Sequence, residues 1–561
     1  MLRLRRRKRS GSDKLRIIPL GGLGEIGKNM MIMEFGEDMI VIDTGLMFPE
    51  EEMLGIDYVI PNINFLKQNK HKLKAIIITH GHEDHTGALP YILAELPVPV
   101  YATRLTQGFL SLKLKEHKLL NKTEVHTVQP GEKFTVGKFT VEFFSVCHSI
   151  PDAAGLIIET PIGTVVHSGD FKLDYTPVDG KGSKFSRLAE LGSKGIMLLM
   201  SDSTYIEIPG YTPSETVVAE NLDQIISGAP GRVIITTFAS LVSRLQQVLY
   251  VASKHNRRVA VAGKSMTEVV KIAQSLGYLK APEGIFCRLD ELPSMPLNKI
   301  IILTTGSQGE PTSALVRIAN RDHKFIQIMQ GDTVIISAST IPGNEALVNR
   351  TIDNLFRQGA NVIYDKLTRV HVHGHGSQEE LKLLISMVNP RYFMPIHGEY
   401  RHLVLHGRLA RSLGVPENNV FIMDNGAILE LDRNSARIAG QVEAGNVYVD
   451  GISVGGVNNV ILRDRQLLSR DGIVLIVVAV AKRGGHIVGE PDIMSMGFVD
   501  AREVEKMTDK WRQIVIKALS QDGDKPLEVG YIQVKLKEVL GKYFHQQTGR
   551  RPLILPVVME V

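Results

Sequence analysis

With 561 residues the chain exceeds what one hydrophobic core can organise, so two or three domains are expected. Hydrophobic content of 43% against 22% charged excludes extended disorder, and two cysteines, Cys147 and Cys287, are too few for a disulfide scaffold; both are expected as buried thiols in a reducing cytoplasm. The net charge of +5 comes from 65 basic and 60 acidic residues, six of the basic ones in the arm Arg3–Arg9, which either attracts a polyanion such as nucleic acid or only aids solubility.

Ser10–Lys14 follow that arm without the apolar stretch of a signal peptide, so export is not expected and a cytoplasmic location is. Residues 15–45 alternate short apolar runs with glycines and read as β-hairpins. Within them Gly22-Leu-Gly24-Glu-Ile-Gly27 fits the dinucleotide fingerprint, but strands follow where that fingerprint needs a helix, which argues against a nucleotide site. Ala75–Thr79 then reads as a strand, Ala88–Glu95 as a helix, and Phe139–Val146 and Thr164–His167 as further strands of a layered α/β domain. Beyond the turn-rich Pro209–Pro213, a helix over Ser214–Ser227 opens a second domain. There Arg232–Thr236, Arg258–Ala262, Lys299–Leu303 and Thr333–Ser337 each precede a helix, the unit of a parallel sheet. A short helix is predicted over Gln378–Met387. Asn446–Asn458 is glycine-rich and polar, and the last α/β segment begins with the strand Gly472–Ala481. Its apolar run Ile473–Ala481 falls short of the roughly 20 residues of a membrane span, so it reads as a buried strand and no membrane partner is expected.

The chemistry concentrates in His80-Gly-His82-Glu-Asp84-His85, directly after an apolar strand, where α/β sheets present functional loops. His80 and His82, two apart in extended chain, project to one side, while Asp84 and His85 at the turn into the next helix can face a second ion. Imidazole and carboxylate suit zinc or manganese, and ions about 3.5–4 Å apart can clamp both the attacking and the leaving oxygen of a phosphoryl transfer. His148 and Asp170, each just past a strand, fit as further ligands, Asp170 as a bridge between the ions.

These residues resemble the His-x-His-x-Asp-His, His and Asp motifs of the metallo-β-lactamase superfamily. Ser201-Asp-Ser-Thr204, His371-Val-His-Gly-His375 and Pro395-Ile-His-Gly-Glu-Tyr400 resemble the three β-CASP nuclease motifs, in order. With Pro19–Gly27, Pro209–Pro213, Phe238-Ala-Ser240, Gly306–Pro311 and Gly376-Ser-Gln-Glu-Glu-Leu381, the likeness spans nearly the whole chain and is specifically to the ribonuclease J family. One departure is His373, where the family pattern has a serine.

The resemblance implies a metallo-β-lactamase αββα sandwich (1–211 and 376–450), an inserted β-CASP α/β domain (212–375), a linker (451–462) and a small C-terminal α/β domain (463–561). It implies two divalent ions, zinc first with manganese or magnesium as alternatives, held by His80, His82, Asp84, His85, His148, Asp170 and His397. Asp84 would handle a proton, Asp202 would support the ligands, and His375 would contact the scissile phosphate. Ser240, His371, Val372, His373, Gly374 and His375 would bind substrate; a 5′-phosphate pocket needs backbone amides and small hydroxyls, which Phe238-Ala-Ser240, His371–His375 and Ser307, if it is not simply a loop residue, could supply at helix starts. The implied activity is 5′-to-3′ exonucleolytic and endonucleolytic cutting of single-stranded RNA in RNA processing, maturation and decay, leaving 5′-phosphate and 3′-hydroxyl ends. A homodimer or homotetramer with possible RNA-decay partners is implied as well. Two other readings are a small-molecule hydrolase, which would not need the long insertion between Pro213 and His375, and a non-catalytic RNA-binding scaffold, which would not need the ligands.

Overall fold

Successive side chains of a strand point to opposite faces, and when both sets are apolar the strand is covered on both sides. Met30–Phe35 is such a strand, buried at all six positions. In the computed structural model, which describes residues 14–561 except 51, 179, 181, 183, 184, 342, 343, 483–486 and 521–527, it joins an eight-stranded sheet. That sheet also contains Leu15–Gly21, Asp38–Ile42, Leu73–Ile77, Val100–Ala102 and Val125–Thr127, with Ala427–Leu431 and Ala436–Gln441 added beside Leu15–Gly21. The basic arm Arg3–Arg9 lies outside the described residues.

A second, six-stranded sheet runs in the order Pro390–Ile396, Ile196–Asp202, Gly163–His167, Ala154–Thr160, Phe139–Ser145, Lys133–Val136. Ile17, Met33, Ile40 and Ile77 of the first sheet share one core with Phe139, Val141, Phe143, Leu156, Val165 and Leu198 of the second. Their strand neighbours Phe144, Ile157, Val166 and Leu199 face the other way, into a cluster with Leu188 and Leu191 of helix Ser186–Lys194 and Leu381, Leu384 and Ile385 of helix Gln378–Val388. Each fully buried side chain of this size contributes roughly 1.5–3 kcal/mol relative to exposure. The result is the sandwich of two sheets covered by helices expected from the sequence.

Past Asp202 the chain crosses through Pro209–Pro213 into helix Glu215–Gly228, whose N-cap Ser214 accepts a hydrogen bond from Thr216 N. It then builds a six-stranded, all-parallel sheet in the order Phe286–Cys287, Arg258–Ala262, Ile300–Thr304, Val233–Thr236, Thr333–Ile336, Asn361–Tyr364. Cys147 is buried as expected, whereas Cys287, on the short edge strand of this sheet, is only half-buried. The carboxyl ends of the central strands are in register, Thr236 opposite both Thr304 and Ile336, so the loops after them emerge at one edge. The return segment from Val370 leads through helix Gln378–Val388 to Pro390–Ile396, which pairs parallel to Ile196–Asp202 and completes the second sheet of the sandwich.

Tyr448–Val561, together with Pro49–Tyr58, forms a second compact unit. Its sheet order is Asp492–Met496, Ile473–Val480, Leu553–Glu560, packed on one face through Val474, Ile476 and Val478 against Trp511, Ile532, Leu536 and Phe544 of two long helices. The strand Ile473–Val480 is not wholly buried, as its apolar run suggested, but alternates half-buried and buried residues. Helix Asn459–Asp471 begins before residue 463, so the expected linker boundary falls inside it; Asn458 caps it by accepting from Val460 N and Ile461 N. The contribution of residues 49–58 was invisible in the sequence because it rests on tertiary contacts such as Arg465 Nη1 donating to Leu54 O at 2.9 Å. Among the described residues no helix is long and apolar enough to cross a membrane.

Candidate metal centre

Strand carboxyl ends assemble the site. His80 follows Leu73–Ile77, His148 follows Phe139–Ser145, Asp170 follows Gly163–His167, Asp202 ends Ile196–Asp202 and His397 follows Pro390–Ile396. Backbone polar groups are still unsatisfied at such ends, and side chains from different strands converge there. The one-turn helix Glu83–Thr86, entered from His82, turns Asp84 and His85 into the same space.

Two donor sets result, with a third group, Asp170, Asp202, His375 and His397, overlapping the second. In the first, His80, His82 and His148 bring ring nitrogens together: His80 Nε2 lies 3.0 Å and His148 Nε2 3.2 Å from His82 Nδ1. The His148 Nδ1–H donates to Gly374 O at 2.7 Å, which leaves its Nε2 with a lone pair. His80 Nδ1 is 3.1 Å from Thr79 Oγ1, whose own proton goes to Asp43 Oδ2, so His80 likewise presents a bare Nε2. Burial, followed by the neighbouring imidazoles, pushes His80 and His148 well below the usual histidine range; burial also takes His82 to about 4 against the pull of Asp84 and Asp170. Three neutral imidazoles with ring nitrogens converging from two separate strand ends fit a metal ion.

The second set is Asp84, His85, Asp170 and His397. Its imidazoles behave oppositely. Burial opposes their charge, but Asp170 and Asp84 outweigh it, raising His85 well above its usual range and His397 to about 9. Burial disfavours ionised Asp84 and Asp170 too, yet the facing His85 and His397 hold both well below the carboxylate range. A set this rich in negative charge fits a divalent ion, which would take the place of the imidazole protons. Asp170 Oδ2 joins the two sets: it lies 3.2 Å from His85 Nε2, 3.7 Å from His397 Nε2, 3.7 Å from His80 Nε2 and 3.8 Å from His148 Nε2.

His375 stands beside this centre, 17% exposed, its Nδ1 2.7 Å from Asp202 Oδ2. Burial lowers its basicity, but Asp202 more than compensates, so its pKa is raised. Asp202 serves His397 as well: its Oδ1 accepts from Thr204 Oγ1 at 2.8 Å, and that hydroxyl accepts from His397 Nδ1 at 2.5 Å. The sequence did not single out Thr204 in this role, nor Asp43, whose Oδ2 receives His85 Nδ1 at 2.8 Å and whose Oδ1 receives Thr79 N. An acid closing the apolar strand Asp38–Ile42 was the available signal for Asp43. Both Asp43 and His397 have left-handed backbone (φ 60° and 52°), strain that concentrates at functional sites.

The glycine fingerprint serves this centre rather than a nucleotide. A Cβ on Gly22 would meet Asn29 Oδ1 at 2.3 Å, and one on the preceding Gly21 would meet Lys28 O at 2.0 Å, so these two glycines permit a tight reversal. That reversal sets Asn29 against Asp84 O, to which its Nδ2 donates at 3.1 Å, and against His85 Nε2.

The expected substrate residues separate. His373 Nδ1 donates to His375 O at 2.7 Å, and its ring stacks on Tyr205 at 3.9 Å, so the histidine in place of serine is accommodated by an aromatic partner. Gly374 sits so close to His148 that a Cβ would fall 2.7 Å from its ring. The Val372 side chain belongs to the apolar core, leaving only its backbone for a ligand, and His371 is buried with no hydrogen-bond partner for Nδ1. Ser240 lies in the turn into helix Val242–Lys254, where Ser243 Oγ reaches Ser149 O beside His148. Ser307 is buried in the loop after Ile300–Thr304, which Gln308 ties to Ser339 O.

Four family models match the chain: beta-lactamase superfamily domain (residues 39–186), ribonuclease J beta-CASP domain (230–355), Zn-dependent metallo-hydrolase RNA specificity domain (361–423) and ribonuclease J C-terminal domain (460–561). Ribonuclease J of Thermus thermophilus is 45% identical over 557 residues, covering 98% of this chain and 96% of the relative. Ribonuclease J2 of Bacillus subtilis is 40% identical over 558 residues, covering 99% and 100%. The chain belongs to the ribonuclease J family. With its donor sets it is a metal-dependent hydrolytic ribonuclease. A crystal structure of a protein of unknown function from Enterococcus faecalis V583 shares the fold, with a TM-score of 0.55 at 16% identity over 74% of this chain and 100% of that one. The third motif of this ribonuclease J family member, His397, lies within the span matched by the RNA specificity domain, as does the loop His371–His375.

Proposed function

We propose that the chain cuts single-stranded RNA internally and also digests it from a 5′-monophosphate end towards the 3′ end, at one centre that holds two zinc-class divalent ions. Products would carry 5′-phosphate and 3′-hydroxyl ends, and the setting would be cytoplasmic RNA processing, maturation and decay. The observation that carries the two-ion reading is the position of Asp170, with one carboxyl oxygen within 4 Å of imidazoles from both donor sets. His80, His82 and His148 would hold one ion; Asp84, His85 and His397 the other; Asp170 would serve both. When bound, such ions acidify water and polarise phosphoryl oxygens.

The chain's own groups do the rest. Asp84, 31% exposed on its side chain, is the carboxylate that solvent reaches and is placed to take the proton of an attacking water. His375, its Nδ1 held by Asp202 and its pKa raised by that contact, would offer a hydrogen-bond donor to a phosphoryl oxygen or to the leaving oxygen. The loop His371–His375 and the turn at Ser240 would receive the RNA, with backbone amides and small hydroxyls for a 5′-phosphate.

Self-association is supported by the C-terminal sheet. Its pairing aligns Met494 with Leu475 and Leu555, and Val477 with Val557, on the face away from the helices. Met494, Met496, Leu555 and Met559 are 45–76% exposed there, an apolar surface that favours a dimer or tetramer. Sedimentation of Leu555→Glu should show a smaller species than the parent chain.

The deciding experiment digests linear 5′-monophosphate, linear 5′-triphosphate and circular RNA with metal-loaded and metal-stripped protein. Mononucleotides from the monophosphate substrate and cuts in the circle, both lost on stripping, are expected. A metal-stripped chain that cuts at full rate would sink the metal mechanism, and an untouched circle would remove the internal mode.

A further inference from the structure

Two motifs singled out in the sequence, Pro209–Pro213 and Gly376–Leu381, are not used by the chemistry above, yet they meet in the structure. They are the two segments by which the chain leaves the metal-bearing sandwich and returns to it. Glu380, fully buried on helix Gln378–Val388, is where they join. One carboxyl oxygen accepts from Ser377 N at 2.7 Å, from Thr212 N at 2.8 Å and from the Thr212 hydroxyl; the other accepts from Leu173 N. Ser377 N is the local bond of a capping box, but Thr212 lies 168 residues away and Leu173 207 residues away.

Each distant partner leads to a group in the site. Leu173 is three residues past Asp170, the carboxylate shared by both donor sets. Thr212 Oγ1 also contacts His375 O at 3.0 Å and Ser377 Oγ at 3.1 Å. The same helix end is fixed to the outgoing segment by Gln378 N to Ile208 O and Glu379 N to Gly210 O. A cap needs one acceptor for one or two amides; this carboxyl group is shared among three separate stretches of chain.

We propose that Glu380 is a positioning residue for the phosphodiester reaction, holding the His375 loop at a fixed distance from Asp170 through Thr212 and Leu173. Misplacement of catalytic groups by about 1 Å costs up to roughly 10²-fold in rate. Glu380 touches neither substrate nor ion, so its effect should appear in turnover rather than in RNA affinity or metal content.

Glu380→Gln keeps the shape but turns an NH2 group towards backbone or hydroxyl donors. Folded, fully metal-loaded Glu380→Gln is expected to lose about 10- to 100-fold in kcat on RNA with KM within threefold of the parent, a split that a merely structural role would not give. If that variant does not fold, Thr212→Val removes the hydroxyl shared by Glu380 and His375 O and is expected to lower kcat severalfold at constant KM. A kcat within threefold of the parent in the variant that folds, whatever its thermal midpoint, overturns the inference. The inference rests on the role given to His375, so His375→Ala is measured alongside. An active His375→Ala sinks that role, and the positioning inference with it; an inactive His375→Ala beside a fully active Glu380→Gln sinks the positioning alone.

Discussion

The two halves of the metal centre use the same side chain in opposite electrostatic states. His80, His82 and His148 face mainly one another, and burial keeps them neutral; His85 and His397, equally buried, face Asp84 and Asp170 and are driven towards their charged form. Residue type alone therefore does not set a ligand's readiness for a cation. Each half also has its own orienting partners: the Gly374 carbonyl and Thr79 for the imidazole half, Asp43 and Thr204 for the carboxylate half.

The contrast would be erased by Asp170→Ala, since both halves share that carboxylate. RNA cleavage should fall by more than about 10³-fold, beyond the loss of a single transition-state donor, and elemental analysis should show fewer than two ions per chain. Asp84→Ala should sharpen the contrast, leaving the imidazole half its ion while ion content drops towards one and cleavage falls by at least about 10²-fold. Circular dichroism should be nearly unchanged, because Asp84 sits on a one-turn helix with its side chain partly exposed rather than in the core; activity within tenfold of the parent would remove it from the site. Asp43→Asn should weaken ion binding in the carboxylate half by about 10- to 100-fold, as loss of a ligand's orienting partner does, with little change in the other half, measured by competition with a chelating dye.

The smallest effect is in pH. His397, at about 9 in the metal-free protein, and His85, also raised, must each release a proton to become ligands, so affinity in their half should fall by at least about tenfold for each unit of acidification below 9. His82, at about 4, has no proton to release near neutrality, so the imidazole half should be nearly flat from pH 8 to pH 6. Equal pH slopes for the two binding events in calorimetry would break the comparison. The sign extends to stability: a raised histidine pKa stabilises the metal-free fold below its unfolded value near 6.5, and that contribution is lost as pH rises through 9.

The ligand candidates could be read from the sequence because each stands just past an apolar run, a position that strand geometry turns into a shared edge. The parallel sheet of the insertion was readable for the same reason, in runs such as Arg232–Thr236 and Thr333–Ser337. The supporting residues were not. Asp43 closes an apolar strand and Thr204 and Thr212 lie in motifs, but their roles are defined by bonds to groups tens to hundreds of residues away, which local sequence does not reveal. Likewise the start of helix Asn459–Asp471 was hidden in a polar, glycine-rich stretch, although Asn458 is a good cap once the helix is known. Glycine spacing misled in the other direction: Gly22–Gly27 matched a nucleotide signature but shapes a turn beneath the metal ligands.

The bond from His148 to Gly374 spans 226 residues, and the close approach admits no side chain at Gly374. During synthesis His148 is made long before its partner, so the imidazole half cannot be in its final orientation until the inserted domain has been completed and the chain has come back. Tight loading of that ion is then a late event in biogenesis, and a nascent chain halted anywhere before Gly374 should bind the metal loosely and exchange it readily. Built this way, the enzyme would acquire a fully assembled centre only once the inserted domain has been made.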